Sequence, residues 1–404
     1  MKLYYPNLNF EDEISGHKGT ASVTTRQTVE ELSHAVAFLA TEGDHVLLPE
    51  GFRLPECLAD TGINVVYDFG EAGAASLVPW GWTHEAKTIA ERTHSVVDAI
   101  PSLDAVQLVN CRSFNAQFDR VFIESIDASR DCEKYFGRTC HNVAEWRSAV
   151  TQFMDDGYQK WVTKSEFCHA GRNRLKGAGV DVNQQQEGWL SKQFRKNGCV
   201  YVEPWVERLE EAGLQFEIAA PTSTNSAANK APIDFVGVTR LINNHAGQYI
   251  GSLFHSNDRL HAAWRDAIRM GKIVCKAAQR AGYHGPMGID CFRFRTATGH
   301  IALRACNDIN GRYTMGRVAL EMQRMLISGE TGLWIHGPLL QIAAIQSSVQ
   351  NSPGQQQHSD VRAVVTSPQR QDGRPLRTAT LLIAGKKADQ LSKLVDSATH
   401  EAKE

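Results

Sequence analysis

Residues 282–320 read GYHGPMGIDCFRFRTATGHIALRACNDINGRYTMGRVAL. Two apolar runs, GIDCFRF and GHIALRACNDIN, are joined across TATG, an arrangement that predicts an antiparallel hairpin. Each run carries an acid where a half-buried sheet ordinarily takes Val or Ile: Asp290 in the first, Asp308 in the second. Asn310 follows Asp308 by two residues, so a strand presents both side chains on one face. Two carboxylates and an amide oxygen are hard ligands suited to Mg²⁺, which takes one or two carboxylates and completes its shell with water and phosphate oxygens. The competing reading makes Asp308 a hairpin-end acid and Asn310 a turn residue before Gly311, since DING is also a good turn sequence.

The chain around this hairpin has 404 residues, room for two or three domains of about 150 residues each. Its 43 Lys and Arg nearly balance 45 Asp and Glu, which leaves no electrostatic footprint for nucleic acid. No apolar run approaches the roughly 20 residues needed to span a bilayer. Nine scattered cysteines without a CxxC pair fit reduced thiols in a cytoplasm better than a disulfide framework. KLYYP (2–6), HVLLPE (45–50), NVVYDF (64–69) and AVQLVN (105–110) are β-rich runs, with helical patterns at 28–40 and 83–100 between them. Alternating strands and helices predict a small parallel α/β domain over 1–110. Antiparallel strands dominate the part that follows, so the expected class is α/β plus α+β. The expected divisions are 1–110, 111–206, 207–345, and a linker with a C-terminal extension over 346–404, where QSSVQNSPGQQQHSD is polar and low in aromatics.

Two further stretches carry chemistry. KWVTKSEF (160–167) reads as a strand that places Lys164 just before the Gly- and Arg-rich loop CHAGRNRLKGAG. A lysine there can neutralise phosphate oxygens while loop N–H groups cover them; the plain alternative is a solvated charge. No GxGxxG or GxxxxGK[ST] loop is present. CVYVEPWV (199–206) is a strand broken by Pro204, with Glu203 before the break. Such a break can act as a hinge offering backbone groups to a base edge; the alternative makes Glu203 an exposed edge charge.

In order and spacing, these elements resemble the ATP-grasp superfamily: lysine and loop, acid hinge, acid, then acid–x–asparagine and arginine. GYHGPMGIDCF and RACNDINGRYTMG are similar to its C-terminal signature. The N-terminal region, with LVPWGW and VNCRSFN, looks like the domain that precedes the grasp lobes. The resemblance covers residues 1 to about 340 and implies the residue roles that follow. Lys164 would touch a phosphate, with Gly171 and Arg172 in a lid over 165–180. Val202 and Trp205 backbone and Glu203 would frame adenine, and Glu210 would take the ribose hydroxyls. Asp290, Asp308 and Asn310 would hold Mg²⁺, and Arg304 or Arg312 would stabilise the transferred phosphoryl or an acyl-phosphate oxygen. Asp308 departs from the Glu usual in the family. The second phosphate-binding lysine common there is missing, Arg112 and Lys160 being the nearest candidates.

The chemistry implied is an Mg·ATP-dependent ligation. A carboxylate attacks the γ-phosphate, giving an acyl phosphate, and an amine or thiol displaces phosphate. Positioning and charge stabilisation dominate such phosphoryl transfers. The expected partners are ATP and small carboxylate and amine substrates, with a homodimer left open and no nucleic acid or membrane. A phosphotransferase acting on a hydroxyl, and a non-catalytic nucleotide-binding scaffold, are the alternatives. GRYTMGR adds a local question. Arg312 offers a planar fork for a carboxylate, and Thr314 with the Gly316 N–H could bind the same group at a helix start. Alternatively Arg312 pairs with an acid and Thr314 merely caps the helix.

Overall fold

The computed structural model describes residues 1–16, 23–93, 99–126, 134–167, 174–221, 231–244, 247–257, 259–350, 361–371 and 373–401. Lys2–Tyr5, His45–Leu47 and Asn64–Val66 form the strands expected near the N-terminus, and Ser76–Pro79 adds a fourth. All pair in parallel, and the last returns to the far side of the first. The expected strand at 105–110 is instead a helix, Leu103–Val109. Ser102 accepts from the Ala105 N–H at its start, and Ala105, Val106 and Val109 are buried. That 3–4 spacing outweighs the β-propensity of the valines. The pattern at 28–40 is α-helical only to Leu32 and continues as a 3-10 helix over Ser33–Leu39, wholly buried. Of the helix expected at 83–100, His84–Arg92 forms, and 94–98 lie outside the described residues.

A small antiparallel sheet comes next. Its strands are Arg138–Cys140, Val200–Pro204, Lys160–Ser165 and Arg174–Ala178, in that spatial order. Part of the segment read as loop is therefore strand, Lys164 pairing with Arg174 and Val162 with Lys176. The helix Val143–Asp155, capped by Asn142, covers one face through Trp146, whose Nε1 donates to Thr163 Oγ1 at 2.8 Å. The helix Gln184–Asn197 carries a full capping box at Asn183 and ends on Gly198 at φ 73°, a left-handed turn that glycine adopts freely.

The large sheet has eight strands. In spatial order they are Ile301–Asn310, Gly285–Arg295, Glu207–Ile218, Ile233–Asn243, Tyr249–His255, Thr331–Pro338, Thr378–Gly385 and Arg362–Val365. The predicted hairpin is present, and the segment expected as a C-terminal extension supplies the last two strands. The helix Leu339–Gln350 takes up the first residues of the expected linker; 351–360 lie outside the described residues. The helix Arg265–Arg280 packs Met270, Gly271, Val274, Cys275 and Ala278 onto one face of this sheet. A Cβ at Gly271 would sit 2.5 Å from the Phe216 ring, so glycine sets the depth of that contact. No helix among the described residues is long and apolar enough to cross a membrane.

Candidate nucleotide and metal site

The opposite face of the large sheet carries the polar residues. Asp290 and Asp308 are register partners, and Gly288 faces Asn310, so the three ligand candidates do converge on one face. The ladder slips between Asp290 and Phe292, a bulge that re-aims the side chains beside it. It is held by the helix Arg112–Ile126: Asn115 Nδ2 donates to the Asn307 carbonyl at 3.0 Å and Arg112 Nη1 at 3.3 Å. Arg112 Nη2 reaches Asp308 Oδ2 at 2.8 Å. Burial, then the facing Asp308, pushes the Asp290 carboxyl up to about 7. Two carboxylates forced together with one guanidinium form a hard-oxygen donor set that a divalent cation would relieve, so the residues fit Mg²⁺. Among the described residues no three His, Cys, Asp or Glu side chains gather into a metal site. Nucleotide phosphates and water would complete the shell.

Glu210 does not join this face. The strand slips against its neighbour between Arg293 and Phe294, and Glu210 pairs with Arg293 at 3.3 Å, beside the Trp264 ring on the helix-covered side. Glu211 stands on the site's face instead, and its charge adds to the upward push on Asp290. Asn243 Nδ2 donates to its Oε1 at 2.7 Å and Arg208 Nη1 to its Oε2 at 2.6 Å. Glu211 shares its parity with Gly213, Gln215 and Glu217, and Glu210 shares its parity with the buried Ala212, Leu214, Phe216 and Ile218, so the alternation of this strand places Glu211 on the polar face.

The small sheet presents Lys164, Arg174 and Lys176 on one face, since pairing with Lys164 and Val162 puts all three in neighbouring positions of like parity. Lys164 is buried, its Nζ 2.6 Å from Glu203 Oε1. Glu203 is neither an edge charge nor placed to frame a base. It is 2% exposed, and its Oε2 takes Arg304 Nη1 at 2.6 Å. Burial works against its charge, yet Lys164 and Arg304 outweigh it and hold the carboxyl at about 2. Arg304 is itself 3% exposed and spends Nη2 on Asp119 at 2.8 Å and on the Tyr201 hydroxyl at 2.5 Å. Its Nη1 and Nη2 contacts thus lie within this buried cluster, where it holds Glu203, Asp119 and Tyr201 together. Asp119 and Tyr201, which sequence reasoning did not single out, complete this ionic cluster. Nothing local marks them, since Asp119 lies 185 positions from Arg304.

The expected backbone frame for adenine also changes. Val202 lies mid-strand, paired with Arg138 on one side and Thr163 on the other. The Trp205 N–H donates to the Lys160 carbonyl at 2.8 Å. Lys160 itself begins its strand exposed, whereas Arg112 lies at the acid pair. Gly171 and Arg172 lie outside the described residues.

Arg312 sits at the edge of the metal face. Nη2 donates to Asn310 Oδ1 at 3.1 Å and pairs with Glu11, while Nη1 donates to the Tyr313 carbonyl at 2.8 Å. Thr314 caps the helix Met315–Glu321, accepting from the Arg317 N–H, and donates to Gln215 Oε1 at 2.8 Å. Beside Arg312 a cavity of ≈ 260 Å³ opens between the edge strand Ser76–Pro79 and the strand ends at Glu217 and Pro286.

No protein-family model and no curated protein sequence matches the chain. Its three-dimensional structure does match solved ones. The biotin carboxylase of Campylobacter jejuni, in a β,γ-ATP complex, superposes at TM-score 0.52 and 11% identity over 89% of this chain and 86% of that one. The biotin carboxylase domain of a 2-oxoglutarate carboxylase from Hydrogenobacter thermophilus, solved with MgADP, ADP and bicarbonate, gives 0.51 and 11% over 98% and 89%. An N5-carboxyaminoimidazole ribonucleotide synthetase in its ADP complex gives 0.51 and 11% over 92% and 93%. At that identity the likeness shows the fold alone: the parallel N-terminal sheet, the small antiparallel sheet and the large antiparallel sheet have the ATP-grasp architecture.

Proposed function

We propose that the protein is an Mg·ATP-dependent ligase that activates a carboxylate as an acyl phosphate and couples it to an amine. The observation that carries this reading is that Arg112 joins the two charged groups: it pairs with Asp308 of the acid pair and its charge also acts on Lys164 of the small sheet. A triphosphate with a divalent cation complements a lysine and an acid pair held this close. When bound, Mg²⁺ would neutralise the phosphate oxygens and align them for in-line transfer.

The chain's own residues define the rest. Lys164 must leave Glu203 to reach a phosphate, and Arg304 makes that exchange tolerable. Glu203 has two counter-ions, so it keeps one when Lys164 moves. Asp290 and Asp308 hold the metal charge, with Asn310 fixed by Arg312. Arg112 neutralises Asp308 and ties the bulge to the helix behind it. The cavity beside Arg312 would receive a small substrate next to the phosphate end of the cleft. The nucleotide complexes of the similar solved structures support ATP as the cofactor, and their carboxylation chemistry supports a bicarbonate-like or carboxylate acceptor.

The test is ATP consumption by the full chain with Mg²⁺ across pooled small carboxylic acids and amines, with products read by mass spectrometry. An amide or carbamate formed with stoichiometric ADP and phosphate is the expected result. A phosphorylated alcohol would instead identify a phosphotransferase, and absence of nucleotide turnover with every pool would overturn the reading.

A further inference from the structure

The helix Arg112–Ile126 begins at a cysteine rather than at a capping hydroxyl or carboxamide. The Cys111 carbonyl accepts from the Asn115 N–H at 3.3 Å, and a thiol is a poor acceptor for the orphaned N–H groups of a first turn. Two of those groups are taken up from the small sheet, by Glu166, which follows the strand Lys160–Ser165 and is 9% exposed. Its carbonyl accepts from the Arg112 N–H at 3.1 Å, and its Oε1 from the Ser113 N–H at 3.2 Å and from the Ser113 hydroxyl. Its Oε2 accepts from the Cys199 thiol at 3.3 Å, just ahead of the strand Val200–Pro204. Burial, then Glu166, pushes that thiol up to about 12, so it stays a donor. One residue thus ties the strand of Lys164, the strand of Glu203 and the helix of Arg112. The same first turn grips the hairpin through side chains, Arg112 Nη2 on Asp308 and Asn115 Nδ2 on the Asn307 carbonyl.

We propose that Glu166 is a positioning residue that touches neither nucleotide nor metal and fixes the separation between Lys164 and the Asp290–Asp308 pair. The proposal rests on the ATP-dependent reading above and deepens it. Lys164 stands two residues before Glu166, and Arg112, next to Ser113, holds Asp308. A ligand that bridges a lysine and an acid pair binds best when their spacing is set in advance, because ordering the two segments costs free energy that is otherwise taken from binding. Phosphates without a metal engage the lysine side and are indifferent to that spacing. Mg·ATP engages both sides. The tie therefore governs how much Mg²⁺ adds to nucleotide affinity, a coupling between two ligands rather than the affinity of either one. A carboxylate suits this place, since the positive end of the helix favours its charge and its two oxygens reach two segments at once.

Calorimetry on the full chain with two probes, ATP in excess EDTA and Mg·ATP, reads that coupling. In the parent, Mg²⁺ should tighten ATP binding by about 5- to 150-fold. Glu166→Ala should leave the affinity for metal-free ATP within about twofold of the parent and cut the gain from Mg²⁺ at least about threefold. Glu166→Gln keeps an oxygen for the Ser113 donors and should hold the gain within about twofold of the parent. If Glu166→Ala fails to fold, Ser113→Ala carries the test from the other side of the tie, and should cut the gain in the same direction with metal-free affinity unchanged. Three results overturn the proposal. One is a parental gain in Glu166→Ala, or in Ser113→Ala where it stands in. Another is an equal loss of affinity with and without the metal, which a merely structural role would give. The third is a Glu166→Gln variant that loses the gain as fully as Glu166→Ala. A parent that binds no ATP, or gains nothing from Mg²⁺, overturns the proposal and the ligase reading together, whereas the expected coupling without turnover in any pool overturns the ligase reading alone.

Discussion

Replacing Arg304 with Met is the sharpest test of how this site is built. The guanidinium is 3% exposed and makes three contacts: Glu203 at 2.6 Å, Asp119 at 2.8 Å and the Tyr201 hydroxyl at 2.5 Å. Methionine fills a similar volume and supplies no charge. Glu203 would keep only Lys164, and Asp119 only the Tyr201 hydroxyl at 3.1 Å. Breaking a buried pair by removing one partner costs about 3–5 kcal/mol. For a cooperative unit of 150–250 residues, that lowers Tm by roughly 6–20 °C. The two carboxyls respond to pH in opposite directions. Burial, opposed by Arg304, holds the Asp119 carboxyl up at about 6, so its protonated form favours the fold. That contribution is complete below the unfolded carboxylate pKa and lost as pH rises through 6. Glu203, held at about 2, contributes stability above the unfolded value and loses it only in strong acid. Without Arg304 the Asp119 pKa climbs further, so the Tm gap between variant and parent should widen from pH 5.5 to pH 8. Differential scanning calorimetry at those two values reads it directly. A variant that melts within about 2 °C of the parent at pH 8 would show that the cluster contributes nothing, and Arg304 would return as a candidate for direct contact with the transferred group.

Asp290→Asn and Asp308→Asn should each abolish Mg²⁺-dependent ATP turnover; Asp290→Asn should also raise the Tm of the nucleotide-free protein by removing one of two facing charges, and unchanged turnover in either would remove the metal assignment. Mg²⁺ binding to the nucleotide-bound protein should weaken as pH falls through about 7, where Asp290 takes up a proton; titration by calorimetry at pH 6 and pH 8 with equal affinities would contradict this. Lys164→Met should weaken Mg·ATP binding roughly 10- to 150-fold, the loss of one charge-assisted contact, with Arg304 still neutralising Glu203; parental affinity would place the lysine outside the nucleotide contact. Arg312→Lys should retain ATP binding but lose most turnover, because an ammonium cannot hold Asn310, the Tyr313 carbonyl and Glu11 together.

The sequence by itself determined what depends on neighbours along the chain. The period-2 runs around TATG, with acids set into them, were enough to bring Asp290, Asp308 and Asn310 onto one face. Lys164 near the end of its strand and the parallel strands at 2–5, 45–47 and 64–66 were legible from the same local signals. Only the tertiary structure decided the rest. A bulge opened in the hairpin between Asp290 and Phe292, and the helix behind it took up the Asn307 carbonyl. Sheet pairing committed Val202 on both sides, and the Lys160 carbonyl took the Trp205 N–H. Arg304 became the centre of a buried cluster through Asp119, and Arg112 met Asp308 across 196 positions. The residues expected as an extension became two strands of the main sheet. Propensity and periodicity are carried by a few consecutive residues. Strand slippage, ion pairing between distant segments and competition for backbone hydrogen bonds are settled only when the lobes pack, so a single strand's pattern cannot encode them.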